Sequence, residues 1–90
     1  MRKYVIEREI LGIEGLTGDK LKQGAASSND ALARLAPRVQ WLESFVTRDR
    51  TFCIYLAEDE EAVREHARLS GFPASRISEV ARVIDPTTGG

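Results

Sequence analysis

Two helix-type segments interrupt four strand-type segments, and this order limits the possible folds more than any other feature of the chain. Alternating β-branched, aromatic and polar residues predict strands at Lys3–Ile10, Val39–Thr47, Thr51–Ala57 and Arg76–Ile84. Apolar residues spaced by three or four predict helices at Asp19–Leu35 and Asp59–Ser70. The sequence therefore predicts the order βαββαβ.

This order is typical of one α+β architecture. The second and third strands are joined by a short turn at Arg48–Asp49, so they must pair antiparallel. Right-handed crossovers then leave few alternatives to a ferredoxin-like two-layer sandwich, with an antiparallel sheet and both helices on one face. We expect residues 1–90 to form one such domain.

The open face of the predicted sheet indicates self-association. Trp41 and Phe45 alternate with Leu42 and Val46, so both faces of the second strand carry apolar side chains. Two helices cover only one face, and a large exposed apolar patch is typical of an interface. A chain of 90 residues also has a thin core. We expect a homodimer with the free sheet faces packed together, as in a dimeric α+β barrel.

Composition restricts the class of partner and the compartment. Thirteen basic and 14 acidic residues give a net charge of -1, and no basic run with interleaved aromatics occurs, which argues against nucleic acid. No apolar stretch is as long as a membrane span, and the first residues do not resemble a signal peptide. With Cys53 as its single cysteine, the chain is expected in the cytoplasm.

His66 is the only histidine, and the helical stripe that it shares with Ala62 and Val63 points it inward. A buried imidazole without a polar partner costs about 1–3 kcal/mol, so we expect an acidic or hydroxyl group beside it. Imidazole is also a metal ligand and a proton acceptor near neutral pH. The candidate partners are Glu7, Glu9, Ser28, Glu43 and Tyr55.

Three interpretations of this constellation stay open. His66 could be a hydrogen-bonded core residue without further function. With Glu7 and Glu9 it could bind a divalent transition metal, in which case His66→Ala should weaken binding at least tenfold. It could also act as an acid or base in a small enzyme. Alternation does not decide which face of the first strand meets the helices, because Tyr4 and Ile6 also predict a buried face.

A small-molecule site is a further possibility. Trp41 could form the aromatic wall of a pocket, with Ser28 and Tyr55 as candidate ligand-binding residues beside His66. Arg8 lies on an otherwise apolar strand face, where it could bind an anionic ligand or pair with Glu43.

Four segments resemble a family of small bacterial proteins. They are KYVIEREI, PRVQWLESFVT, AEDEEAVREHARLSGFPASRISEV and ARVIDPTT, which together span nearly the whole chain. Members of that family have a ferredoxin-like fold, and one of them binds nickel. The resemblance implies this fold, a dimer and nickel as the favoured metal; it does not assign metal ligands or decide whether the chain is an enzyme.

Overall fold

The computed structural model describes residues 1–10 and 12–90, with Glu14 described by its backbone only. The predicted order is confirmed, since four strands and two α-helices follow one another as βαββαβ. Two single-turn 3-10 helices lie at Ile13–Gly15 and Pro86–Gly89. The main elements are β1 (Arg2–Glu9), α1 (Gly18–Leu35), β2 (Val39–Val46), β3 (Arg50–Ala57), α2 (Glu60–Ser70) and β4 (Arg76–Glu79).

The four strands form one sheet in the order β2-β3-β1-β4. Every neighbouring pair is antiparallel, and the first and third strands pair along their whole length, from Arg2 opposite Ala57 to Glu9 opposite Arg50. Both helices connect strands that are not adjacent in the sheet. This is the predicted ferredoxin-like α+β fold.

Local sequence signals fix the ends of both helices. The Thr17 hydroxyl accepts the Lys20 backbone N–H at 3.3 Å, and the Asp59 carboxylate accepts the Ala62 N–H at 2.9 Å. Each bond satisfies an N–H that has no partner within its helix. At the other end of α2, Gly71 adopts φ +78°, a conformation that favours glycine, and stops the helix.

The helices cover the sheet face that carries Tyr4, Ile6 and Arg8, all of which are buried. Alternate residues of β3, from Thr51 to Ala57, are buried on the same face. This settles which face of β1 meets the helices. Glu7 and Glu9 alternate with Arg8 along the strand, so they must face the other side of the sheet. The buried apolar cluster consists of Tyr4, Ile6, Leu35, Val39, Cys53, Tyr55, Ala57, Ala62 and Val63.

One assignment of faces is wrong. Trp41 and Phe45 were expected on the same face of β2, but the register shifts between Trp41 and Glu43. After this β-bulge, Phe45 lies opposite Phe52 on the open face, whereas Trp41 lies opposite Tyr55 on the helix face. An extra residue in one strand reverses the alternation beyond it.

The last strand is shorter than predicted. It ends at Glu79, which lies opposite Tyr4, and the last bond to β1 runs from the Val80 N–H to the Lys3 carbonyl at 2.8 Å. Because β1 begins at Arg2, little backbone remains to pair with the residues that follow. Ile84 is consequently 72% exposed.

The face of the sheet away from the helices remains uncovered within one chain. Val5, Phe52, Ile54 and Leu56 are only half-buried there, and Phe45 is 54% exposed. The predicted apolar face therefore exists.

Candidate functional site

A cavity of about 430 Å³ lies between α1 and the helix-side face of the sheet. Strands β1, β2 and β3 form its floor, and α1 contributes Leu21, Gly24, Ala25 and Ser28. Phe72 and Pro73, which follow α2, close one side. The size is within the range of small-molecule sites, roughly 300–1,000 Å³.

The three residues that we selected as ligand-binding candidates all lie in the wall of this cavity. They reach it from three elements: Ser28 from α1, Trp41 from β2 and Tyr55 from β3. The Trp41 indole is held in place because its Nε1 donates to the Ser44 hydroxyl at 2.9 Å. The sequence suggested that these three residues share a site, and the structure places them in the wall of one cavity.

His66 is 0% exposed and lies directly behind this wall. Its Nε2 is 3.1 Å from Ser28 Oγ, and its ring centroid is 5.0 Å from that of Tyr55. Its Nδ1 is buried and has no hydrogen-bond partner in the described part of the chain. The expectation of an inward imidazole beside a hydroxyl group agrees with this geometry.

Burial lowers the pKa of His66, and the positive charge of Arg8 lowers it further, while a hydrogen bond to the backbone of Ser28 acts in the opposite direction. The imidazole is therefore neutral at pH 7. Burial also raises the pKa of Tyr55, against the effects of Ser28 and Arg8. Near neutral pH this part of the cavity wall therefore presents the neutral hydroxyl of Tyr55 beside the positive charge of Arg8.

The structure does not bring Glu7 and Glu9 to His66. Both alternate with Arg8 on β1 and so face the open side of the sheet, where they surround Arg50. Glu7 Oε1 lies 2.9 Å from Arg50 Nη1, and Glu9 Oε1 lies 3.7 Å from Arg50 Nη2. Glu43 also lies on the open face, opposite Ile54. Arg8 therefore does not pair with Glu43 and instead donates to the carbonyls of Phe72 and Pro73.

These positions do not suit a metal ion at His66. Among the side chains that the structure describes, no three His, Cys, Asp or Glu residues group as metal ligands. The positive charge of the Arg8 guanidinium, which lowers the pKa of the imidazole, would also repel a cation. The predicted set of His66, Glu7 and Glu9 is not assembled in one chain, because the sheet lies between its members.

Ser28 and His66 also form a hydroxyl–imidazole pair beside a cavity, which is the beginning of a nucleophile–base arrangement. A base in such a pair needs a group that orients it and stabilises the imidazolium. Here Nδ1 meets no such group among the described residues, and Arg8 opposes protonation. The pair is therefore better suited to holding the cavity wall than to activating a nucleophile.

Sequence reasoning missed the contribution of Phe72, which closes one side of the cavity. The available signal was Gly24, a glycine inside a helix. A Cβ built at Gly24 would lie at an ordinary contact distance of 3.4 Å from Phe72 Cζ, so Gly24 marks the place where the Phe72 ring meets α1.

Together, the fold and the cavity define a small α+β protein with a cavity of ligand size between α1 and the sheet. A model of the family described as "Nickel responsive protein SCO4226-like" matches residues 4–80, and the chain belongs to this family. None of the curated proteins matches the chain significantly.

A solved structure shows the same fold. The crystal structure of SCO4226 from Streptomyces coelicolor A3(2) superposes with a TM-score of 0.76 at 19% sequence identity. The alignment covers 91% of this chain and 99% of that one. Across the part of our chain that the structure describes, neither helix is both long and apolar enough to cross a membrane.

Proposed function

We propose that this chain is a small-molecule-binding protein whose ligand occupies the cavity between α1 and the sheet. The observation that carries the proposal is the cavity itself, about 430 Å³ with a largely apolar wall and a few polar groups from different elements. Such a combination is typical of ligand sites, in which apolar surface supplies affinity and a few polar groups set orientation.

Trp41 provides a direct readout of this site, because it is the only tryptophan and lies in the cavity wall. We expect decanoate or decan-1-ol to change Trp41 emission saturably. Ala25→Phe should abolish the change, because a phenyl ring at this lining position fills the cavity. The matched control is Ala26→Phe, next along α1 but exposed.

Retained binding in Ala25→Phe, or no saturable change with either compound in the wild type, would contradict the proposal. Circular dichroism establishes that both variants are folded before the comparison is made.

As a second candidate we propose that the chain binds nickel(II), a function that its membership of a nickel responsive family supports. Nickel accepts imidazole and carboxylate ligands. Glu7 and Glu9 remain candidate donors because they lie side by side on the open face, where another copy could supply further ligands. His66, the third candidate, is buried beside a cation.

Isothermal titration of tag-free protein with nickel chloride tests this candidate. We expect Glu7→Gln with Glu9→Gln to weaken binding at least tenfold, and His66→Ala to leave the affinity within about twofold, since electrostatic repulsion disfavours a cation near Arg8. A tenfold loss in His66→Ala would restore His66 as a ligand. No saturable heat in the wild type would remove the candidate.

We further propose a homodimer through the open face of the sheet, working in the cytoplasm. The uncovered apolar residues of β2 and β3 support the dimer, and the free buried thiol of Cys53 is compatible with a reducing compartment. Sedimentation equilibrium at micromolar concentration should give twice the chain mass. Ile54→Lys should give a monomer, because it places a charge in the middle of the apolar face. A monomeric wild type would contradict the dimer.

A further inference from the structure

Arg8 is the one charged residue among the buried polar residues of the described chain, and it is 2% exposed. Its Nη1 donates to the carbonyl of Pro73 at 2.6 Å and lies 3.4 Å from that of Phe72. Its Nη2 is buried and has no hydrogen-bond partner among the side chains and backbone that the structure describes. Half of the guanidinium edge is therefore held by the backbone, and half is left unsatisfied.

No carboxylate of the described residues pairs with Arg8. The ion pairs formed by β1 involve Arg2 with Glu79, and Glu7 and Glu9 with Arg50, on other parts of the sheet. An arginine side chain does not lose its proton in proteins, so this site keeps a positive charge at every working pH. A buried charge without a counter-ion is costly, and a bound anion would remove much of that cost.

Arg8 is also part of the cavity wall. Ser28 and Tyr55 lie in the same wall, and both Ser28 and Arg8 are close enough to Tyr55 to lower the pKa of its hydroxyl. His66 fixes Ser28 from behind through the bond at 3.1 Å. The cavity therefore has a polar end, with one unpaired cation and two hydroxyls.

The rest of the wall is mainly apolar. Its side chains come from the segment before α1, from α1 and from β2, namely Ile13, Leu16, Leu21 and Val46. Lys20 adds a second positive charge, whereas Glu9 borders the cavity with its carboxylate directed to Arg50 on the open face of the sheet. A ligand that matches this wall has an extended apolar body and one small anionic end.

We propose that the cavity binds an apolar molecule with a terminal carboxylate, and that the carboxylate lies against Arg8 Nη2 and the hydroxyls of Ser28 and Tyr55. This inference rests on the proposed small-molecule function and adds the chemical class of the ligand. A carboxylate is favoured because an arginine N–H to a carboxylate oxygen is a charge-assisted bond, roughly twice as strong as a neutral one.

The test compares decanoate with decan-1-ol, which share a chain of ten carbons and differ in the charged end. Isothermal titration should give decanoate an affinity at least tenfold higher in the wild type, equivalent to about 1.4 kcal/mol. Arg8→Met should remove this difference, because it keeps an unbranched side chain but no charge. Arg64→Met, the same change at an exposed position of α2, should preserve the difference.

The outcomes separate the two proposals. Equal affinities of the wild type for acid and alcohol, both lost in Ala25→Phe, would leave the cavity as a ligand site and overturn the carboxylate inference. Binding of neither compound would overturn both. The wild-type comparison needs no variant, so the inference can be refuted even if Arg8→Met does not fold. If Arg8→Met folds and still prefers decanoate tenfold, the anion contacts another group and the inference is wrong.

Discussion

The hydrogen bond between Ser28 and His66 should contribute strongly to the free energy of unfolding. Ser28→Ala removes this bond. His66 Nε2 lies 3.1 Å from Ser28 Oγ, inside a region where the imidazole has no exposed surface. Its Nδ1 already lacks a partner among the described residues. After the substitution, both nitrogens of a fully buried ring would be unsatisfied.

The magnitude follows from this burial. Leaving a buried polar group without a partner costs about 1–3 kcal/mol. Alanine favours a helix over serine by roughly 0.5 kcal/mol, which partly offsets the loss. The net loss of about 1.5 kcal/mol would lower the Tm of a domain of this size by roughly 6–12 °C.

Urea unfolding followed by circular dichroism measures the change, and Ser27→Ala is the matched control. Ser27 precedes Ser28 on α1, is exposed, and makes only a long bond of 3.4 Å to the Ser70 carbonyl. Both variants gain the same helix propensity, so the difference between them isolates the contact with His66. We expect Ser27→Ala to stay within about 0.5 kcal/mol of the wild type.

Equal stability of the two serine variants would refute this reasoning. It would mean that the imidazole finds another partner or reaches water when the hydroxyl is removed, and that the wall behind the cavity is not fixed in the way described.

Three further predictions concern titration, helix packing and the open face. The pKa of His66 is lowered in the folded protein, so the unfolded chain takes up its proton first as the pH falls. The contribution of His66 to the free energy of unfolding should therefore be constant above about pH 6.5 and decline below it, by at most about 1.4 kcal/mol per pH unit. A His66→Gln variant followed by urea titration should lack this decline. Gly24→Ala should raise the free energy of unfolding by up to about 1 kcal/mol, because alanine has the higher helix propensity. The new Cβ would meet Phe72 Cζ at an ordinary contact distance of 3.4 Å and should not offset this gain. A lower Tm in a thermal melt would show that the Phe72 ring does not tolerate the contact. Glu7→Gln should lower the free energy of unfolding of the isolated chain by no more than about 1 kcal/mol, because the ion pair of Glu7 with Arg50 is partly exposed. The loss should shrink in urea melts at high salt. A loss that does not depend on salt would contradict a solvent-screened ion pair.

The periodicity of apolar residues was sufficient to predict the architecture, because each strand and helix carries its own spacing. It also placed Ser28 and His66 on inward stripes, since both lie on regular helices. It failed at β2, where the bulge after Trp41 changes the face of every later residue, and at β4, whose length depends on where β1 begins.

The candidate site was harder to predict than the fold, because it depends on how separate elements meet. Alternation groups Glu7 and Glu9 together but does not say which face of β1 meets the helices, so the sequence alone could not separate them from His66. The isolated Nη2 of Arg8 depends on the path of the chain through Phe72 and Pro73, which local spacing does not describe.

The location of the ligand is the central claim, and the most direct measurement is a titration of the ¹⁵N-labelled protein with decanoate, followed through the backbone amide signals. Occupancy of the cavity predicts saturable shifts concentrated at Ala25, Ser28, Cys53 and Phe72, which line it from separate elements. Shifts concentrated instead at Phe52, Ile54 and Leu56 on the open face, or no saturable shifts, would contradict it.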